Sequence, residues 1–223
     1  MLQLPDARDG RAAAVRPARP GTLRVWVASA APRPCLLADL IRRVAQRHHL
    51  RPEVWQAAPA DWSALNVHPA QRSGPPPDPL DVAVTGDGLP AGPAAHVVRP
   101  GAAGPGMPEA TGTDPLALRL ALLSRPYQED LALTGPDLDA AAQTLADWRR
   151  RVARWALSPS KPMCAAYTGD FLGALDDDLD SPAALRVLAA LAADAGVPPG
   201  SRFESFAYFD QFLGLDLARE VGR

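Results

Sequence analysis

Residues 134–157 read TGPDLDAAAQTLADWRRRVARWAL, and their spacing decides the fold class. Leu138, Ala141, Leu145, Trp148, Val152 and Trp155 recur at intervals of three and four, which places them on one face of a helix from Asp137 to about Leu157. Upstream, Asp114-Pro115 opens LALRLALLS, with Leu116, Leu120 and Leu123 on one face. Downstream, Pro162 opens a helix through Phe171, Leu172 and Leu175. Ser181-Pro182 is an N-cap with proline at the first helical position, and Gly196 closes that helix. Ser201 with Glu204 forms a capping box for a last helix through Phe206, Phe209 and Phe212. Five helices on short loops over residues 113–223 predict a bundle.

The first half differs. Residues 1–21 are rich in Arg, Ala and Pro without periodicity and read as a mobile tail. Leu23-Arg24-Val25-Trp26-Val27 alternates as a strand, and Pro32 and Pro34 break the chain. Leu36 to Leu50 has helical spacing, and Glu53-Val54-Trp55-Gln56 suits a second, parallel strand. Ala60 to Val67 reads as a short helix. Residues 68–112 read as a Pro/Gly-rich linker: 18 of the chain's 42 Gly and Pro residues lie between Asn66 and Gly112, with one short strand expected at Asp81 to Thr85. The expected fold is therefore mainly α: a C-terminal helical bundle preceded by a reduced α/β (strand-helix-strand) remnant at 22–67.

Composition narrows the function classes. With 47% hydrophobic and 22% charged residues, the chain is not wholly disordered, and a formal charge of −2 leaves no overall basic footprint for nucleic acid or a membrane surface. Two cysteines, Cys35 and Cys164, cannot staple 223 residues and point to a reducing compartment. No apolar run of spanning or signal-peptide length is present, so the expectation is a cytoplasmic protein without a membrane partner. Lysine occurs once, at Lys161, against 22 arginines, which excludes any mechanism needing two lysines.

DPLALRLALLSRPYQEDLALT, then LDAAAQTLADWRRRV and FLGALDDDLDSPAALRVLAAL, resemble the helical domain of cysteinyl-tRNA synthetases and, more closely, of the related ligases that join cysteine to glucosaminyl-inositol in mycothiol synthesis. The run Asp176-Asp177-Asp178-Leu179-Asp180-Ser181-Pro182 is its most specific part. The resemblance covers about residues 112–217, and more weakly 25–46 through Asp39-Leu40-Ile41-Arg42-Arg43-Val44. It implies a class I synthetase-like enzyme that condenses ATP and cysteine to cysteinyl-adenylate and passes the cysteine to an acceptor.

Four features of that family are missing or altered here. A HIGH-type motif belongs at the N-terminus of the first helix, where histidines and helix-end amides stabilise phosphate charge; here stand Ala28-Ser29-Ala30-Ala31, and His48 and His49 sit at the far end of the helix. A KMSKS loop cannot exist with one lysine. The family's first zinc ligand follows the first strand, where Ala28 stands, and Cys35, His68, His96 and Cys164 have no metal-ligand spacing. The fourth is length, since only the opening of the family's nucleotide-binding domain is matched.

The remaining side chains carry plain structural readings. Asp176–Asp178 with Asp180 read as a solvated helix end, with Asp180 and Ser181 capping the next helix. Arg149, Arg150, Arg151 and Arg154 read as a solvated face offset by Asp147, with RNA contact disfavoured because residues 113–223 hold 11 basic against 16 acidic residues. Trp148 and Trp155 read as core. Trp26 and Trp55, with Trp62, mark a partner surface if the sheet is left partly uncovered. Cys35 reads as buried rather than nucleophilic, and GDG at 86–88 and GPG at 104–106 are too short for a phosphate loop. No catalytic or metal-ligating residue is assigned, and Arg149, Arg150, Arg154, Trp26 and Trp55 stand as partner or RNA contacts. The expectation is a degenerate, truncated relative of the cysteine-activating ligases, acting as a binding or accessory module for a synthetase, ligase or pathway enzyme, with no cofactor. The alternatives are a live ATP-dependent cysteine ligase, for which ATP would be the cofactor, and a tRNA-binding remnant.

Overall fold

The computed structural model describes residues 1–85, 96–102 and 114–223. Strands β1 (Gln3–Pro5) and β2 (Ala12–Ala14) form an antiparallel hairpin. Strand β3 (Thr22–Val27), helix α1 (Pro32–Arg47) and strand β4 (Arg51–Gln56) make a parallel β-α-β unit in which Val25 pairs with Val54. Three short strands follow, β5 (Arg72–Ser73), β6 (Val82–Val84) and β7 (His96–Val98), giving a parallel sheet of order β5-β4-β3-β6-β7. Helices α2 (Pro115–Leu123), α3 (Gly135–Trp155), α4 (Ala165–Asp176), α5 (Ser181–Ala193) and α6 (Pro199–Leu213) complete the chain. The architecture is mainly helical with a small α/β portion, as expected, and the five helices lie where the periodicity put them.

Several local expectations are corrected. Residues 1–21 are not a tail: Leu2, Leu4 and Val15 are buried, and the Ala7 amide donates to the Val97 carbonyl at 2.7 Å. Three apolar residues separated by polar ones carry no period, so only the surface they meet orders them. Residues 68–112 hold three of the sheet's five strands, while GDG at 86–88, GPG at 104–106 and the rest of 86–95 and 103–113 lie outside the described residues. Pro32 and Pro34 do not break the chain but sit in the first turn of α1, where a missing N–H costs nothing within the helix. Residues 60–67 form only a 3-10 turn, Ser63–Leu65. Asp180, not Ser181, caps α5, and that helix ends at Ala193, before Gly196. α6 begins at Pro199, so Ser201 lies inside it and makes no capping box; Glu204 instead accepts from the Ser160 hydroxyl at 2.6 Å. The box that does form is Thr134 with Asp137, at the start of α3.

One continuous apolar core runs from Leu4 and Val25 through Ile41 of α1 to Leu120, Leu188 and Leu213 of the helices. Trp148 and Trp155 are in it as expected, both edge-on to Phe206, and Phe171 stacks on Phe209 at 4.1 Å. The β-α-β unit and the bundle are also joined by buried charge. Asp39 of α1, with no exposed side-chain surface, accepts from Arg43 at 2.7 Å, Arg119 of α2 at 3.0 Å and Arg42 at 3.2 Å. Arg119, equally buried, also donates to the carbonyls of Leu65, Asn66 and Leu213. At the end of α6, Gly214 turns with φ +63°, and a Cβ there would lie 3.0 Å from the Arg119 guanidinium, so glycine is required by both backbone and neighbour.

Burial alone would raise the Asp39 pKa, but the Arg43 and Arg119 guanidinium groups hold it well below the usual carboxylate range. A folded pKa below the unfolded one means that the unfolded chain takes the proton first. The stabilisation is present above about pH 4 and is lost as pH falls below it. Asp39→Asn is expected to lower unfolding free energy by about 3–5 kcal/mol in urea at pH 7, because Arg119 is left buried without its counter-charge. The variant should also show a flatter acid limb than the wild type; identical acid limbs would refute the role of Asp39.

Candidate functional site

After β3 the chain crosses through α1 to β4 on one side, and then returns through β6 to the other side of β3. That reversal opens a crevice beyond the carboxyl ends of β3 and β6, the position at which parallel α/β sheets hold ligands. A cavity of about 600 Å³ lies there. Its walls come from Ser29 after β3, Arg33 and Pro34 of α1, Arg99 and Gly101 after β7, Asp6 of the hairpin, and Tyr127 with Asp130 from the connection between α2 and α3.

The N-terminus of α1 enters this cavity, but its chemistry is blunted. A helix offers anions the free N–H groups of its first turn. Here Pro32 and Pro34 have none, which leaves the Arg33 amide as the donor of that turn. The Arg33 side chain, 3% exposed, is committed elsewhere: its guanidinium donates to the carbonyls of Gly101 (3.0 Å), Glu129 (2.5 Å) and Pro126 (2.8 Å). It stitches the segment after β7 to the one after α2. Their approach requires Gly101, where a Cβ would fall 2.1 Å from the Glu129 carbonyl oxygen. Asp6 is ion-paired with Arg8, and that pairing lowers its pKa. Lys161 lies between α3 and α4 and does not line the crevice.

Beneath the crevice, Cys35 is 7% exposed, with Gln56 donating to its sulfur at 3.2 Å. Burial pushes this thiol up to about 11, the opposite of what a nucleophile or a zinc thiolate needs. His68 is engaged by Asp39 at 3.0 Å. These side chains do not fit the zinc site that the resemblance implies. Among the described residues, no three His, Cys, Asp or Glu side chains are grouped to hold a metal ion.

The arginine run divides. Arg149 is 5% exposed and bridges Asp114 at 2.5 Å and the carbonyls of Leu215 and Asp216, so it is a strut between α3 and the chain after α6 rather than part of a solvated face. Arg150 and Arg151 pair with Asp147 as expected, and Arg154 is exposed. Trp26 and Trp55 lie in register on the face of the sheet away from α1, both half-buried. The Trp26 indole donates to the Gly74 carbonyl at 3.1 Å, and Arg72 stacks over Trp55 at 4.9 Å. The Trp62 indole donates to the Ala30 carbonyl at 2.9 Å.

The acidic run is a joint, not a solvated end. Asp176 accepts from Arg47 (2.8 Å) and His48 (2.7 Å) at the end of α1. Asp178 accepts from the Tyr127 hydroxyl at 2.5 Å, and its own amide donates to the Gln3 carbonyl at 3.0 Å. Asp180 caps α5 through the Ala183 amide, as expected. Asp6, Arg33, Arg99 and Tyr127 went unnoticed in the sequence because each meets its site through partners far along the chain. Only the placement of Arg33 between two prolines before a helix was a local signal.

A nucleotide-type half-sheet whose crevice is walled by a helical bundle agrees with the resemblance to class I synthetase-like enzymes. Over 110 residues, 48% of this chain, it is 42% identical to the L-cysteine:1D-myo-inositol 2-amino-2-deoxy-alpha-D-glucopyranoside ligase of Streptomyces griseus. It is 36% identical over 113 residues to the ligase of the same name from Thermomonospora curvata, and 44% identical over 81 residues, 36% of this chain, to that of Geodermatophilus obscurus. These matches cover 26%, 26% and 18% of the relatives, so the chain spans about a quarter of the length of the curated ligases it matches. No protein-family model matches the chain. Among the described residues, no helix is long and apolar enough to cross a membrane.

Two outcomes are expected from this geometry. With a thiol reagent at pH 8, half-buried Cys164 reacts promptly and Cys35 only after unfolding; prompt reaction of both would contradict the burial of Cys35. Arg33→Met is expected to cost about 2–3 kcal/mol and to speed amide exchange at residues 99–102 and 126–130, measured by mass spectrometry.

Proposed function

We propose that this protein is a cysteine-ligase-like chain that does not form cysteinyl-adenylate and acts as a binding or accessory module beside a cysteine-activating enzyme. The observation that carries this is the first turn of α1, Pro32-Arg33-Pro34. Where the resembled enzymes use histidines and helix-end amides on phosphate, two of the amides are prolines and the arginine is spent on three carbonyls. A thiol pushed upward by burial and a crevice without lysine point the same way. Stabilising charge that develops on a transferring phosphate requires several donors aimed at it beforehand, and the first turn of α1 keeps only the Arg33 amide. The similarity to curated ligases supports the family resemblance, and the family's chemistry suggests the partner: a full-length synthetase or ligase, or another enzyme that uses activated cysteine, in a reducing cytoplasm.

One observation favours a second reading. The crevice is open at about 600 Å³ and lies at the ligand position of the sheet, so a live ATP-dependent cysteine ligase would place its nucleotide there. Cysteine-dependent ATP–pyrophosphate exchange separates the two. With a full-length homologous ligase as the positive control, this chain is expected to show no exchange above background. Exchange above background would overturn the accessory role and assign phosphate handling to arginines of the crevice, Arg99 first.

A further inference from the structure

Helices α2, α3 and α5 line a second, open cleft of about 410 Å³ at the surface of the bundle. α3 and α5 flank the cleft and begin at the same end of it. At one end, the Ser181 hydroxyl, at the start of α5, donates to the Leu123 carbonyl at 2.8 Å, and Asp137, at the start of α3, feels the charge of Arg125. At the other end, Arg151 of α3 reaches the Ala192 carbonyl of α5 at 3.3 Å. Leu120, Ala141, Trp148 and Leu185, all under 9% exposed, supply apolar lining. Ala140 and Ala189, exposed and facing the cleft from α3 and α5, leave it open by their small size.

At the end where both helices begin, Arg125 and Leu133 of the connection from α2 to α3 line the cleft. This end is positive. Arg125 and Arg186 both line it, are exposed, and have no hydrogen bond or ion pair among the described residues. The carboxylate that lines this end, Asp137, is engaged by the Thr134 amide (2.9 Å) and hydroxyl (2.5 Å) in the capping box, while Asp180, which does not line the cleft, caps α5 through the Ala183 amide at 2.8 Å. The cleft's volume of about 410 Å³, with apolar walls and a few convergent polar groups at one end, is that of a small-ligand site.

We infer that this cleft binds a small apolar monocarboxylate, its carboxylate between Arg125 and Arg186 and its hydrocarbon directed along α3 toward Trp148. From Ala140 to Trp148 the wall is about 12 Å long, the reach of an extended ten-carbon chain. Nothing in this assignment depends on whether the crevice beyond β3 handles a nucleotide.

Isothermal titration of the full chain with decanoate and with decyltrimethylammonium, equal in length and opposite in charge, tests it. Decanoate is expected to bind at least about tenfold more tightly than the cation. The double variant Arg125→Glu/Arg186→Glu should remove that preference, Arg154→Glu should leave it, and Ala189→Phe should abolish binding by filling the cleft. Thr144→Tyr, from the opposite wall, serves as a second filling variant if Ala189→Phe fails to give the wild-type circular dichroism spectrum. Equal binding of the two probes, no binding of decanoate by the folded protein, or unchanged binding in a folded filled variant would overturn the inference.

Discussion

The Asp39 carboxylate lies out of water among the guanidinium groups of Arg42, Arg43 and Arg119, and most of the chain is tied to that point. Arg119 carries the link into α2 and to the end of α6, while Arg43 reaches the carbonyls of Asn66 and Gln211. Asn66 in turn donates to the Gly214 carbonyl at 2.9 Å. A charge in an apolar interior is costly unless it is paired and hydrogen-bonded, and here Asp39 meets three guanidinium groups and the amide and ring of His68, while Arg43 and Arg119 also donate to backbone carbonyls. The cluster therefore makes the orientation of the bundle against α1 specific in a way that apolar contact, which is non-directional, does not.

That orientation sets the crevice. With α2 held against α1, the connection after α2 falls beside the segment after β7, and Arg33 closes the gap through three carbonyls. The hairpin of β1 and β2 then seals the outer edge of β7, and the acidic run at the end of α4 receives the hairpin, the end of α1 and Tyr127 together. The crevice thus lies where parallel α/β sheets hold ligands, and Arg33 ties its walls to one another.

Much of the bundle was legible in the sequence. The period of three and four in residues 138–155 needs only the geometry of one helix, and the strands at 23–27 and 53–56 need only alternation. Helix ends were read less well: Asp180 outcompeted Ser181 as the cap, and Ser201 turned inward within α6. Of the arginines singled out in α3, the adjacent positions 149 and 150 point to opposite fates, since a step of one residue turns about 100° around the helix and carries Arg149 into the core and Arg150 into water. Which of the two faced inward depended on where α2 and the chain after α6 lay.

By itself the sequence determined the helical half, the opening β-α-β unit, the loss of lysine chemistry and the resemblance to cysteine-activating ligases, because each is a property of neighbouring residues or of composition. Only the tertiary structure decided that residues 1–15 form a hairpin anchored by buried Leu2, Leu4 and Val15, that parts of 68–102 complete a sheet, that Arg33 is spent on backbone carbonyls, and that Arg125 and Arg186 line one cleft. Those outcomes join groups tens of residues apart, as when Arg33 meets Glu129 across 96 positions. No local pattern encodes such pairings. They exist because burying apolar faces brings the elements together, and an unpaired polar group caught between them is costly.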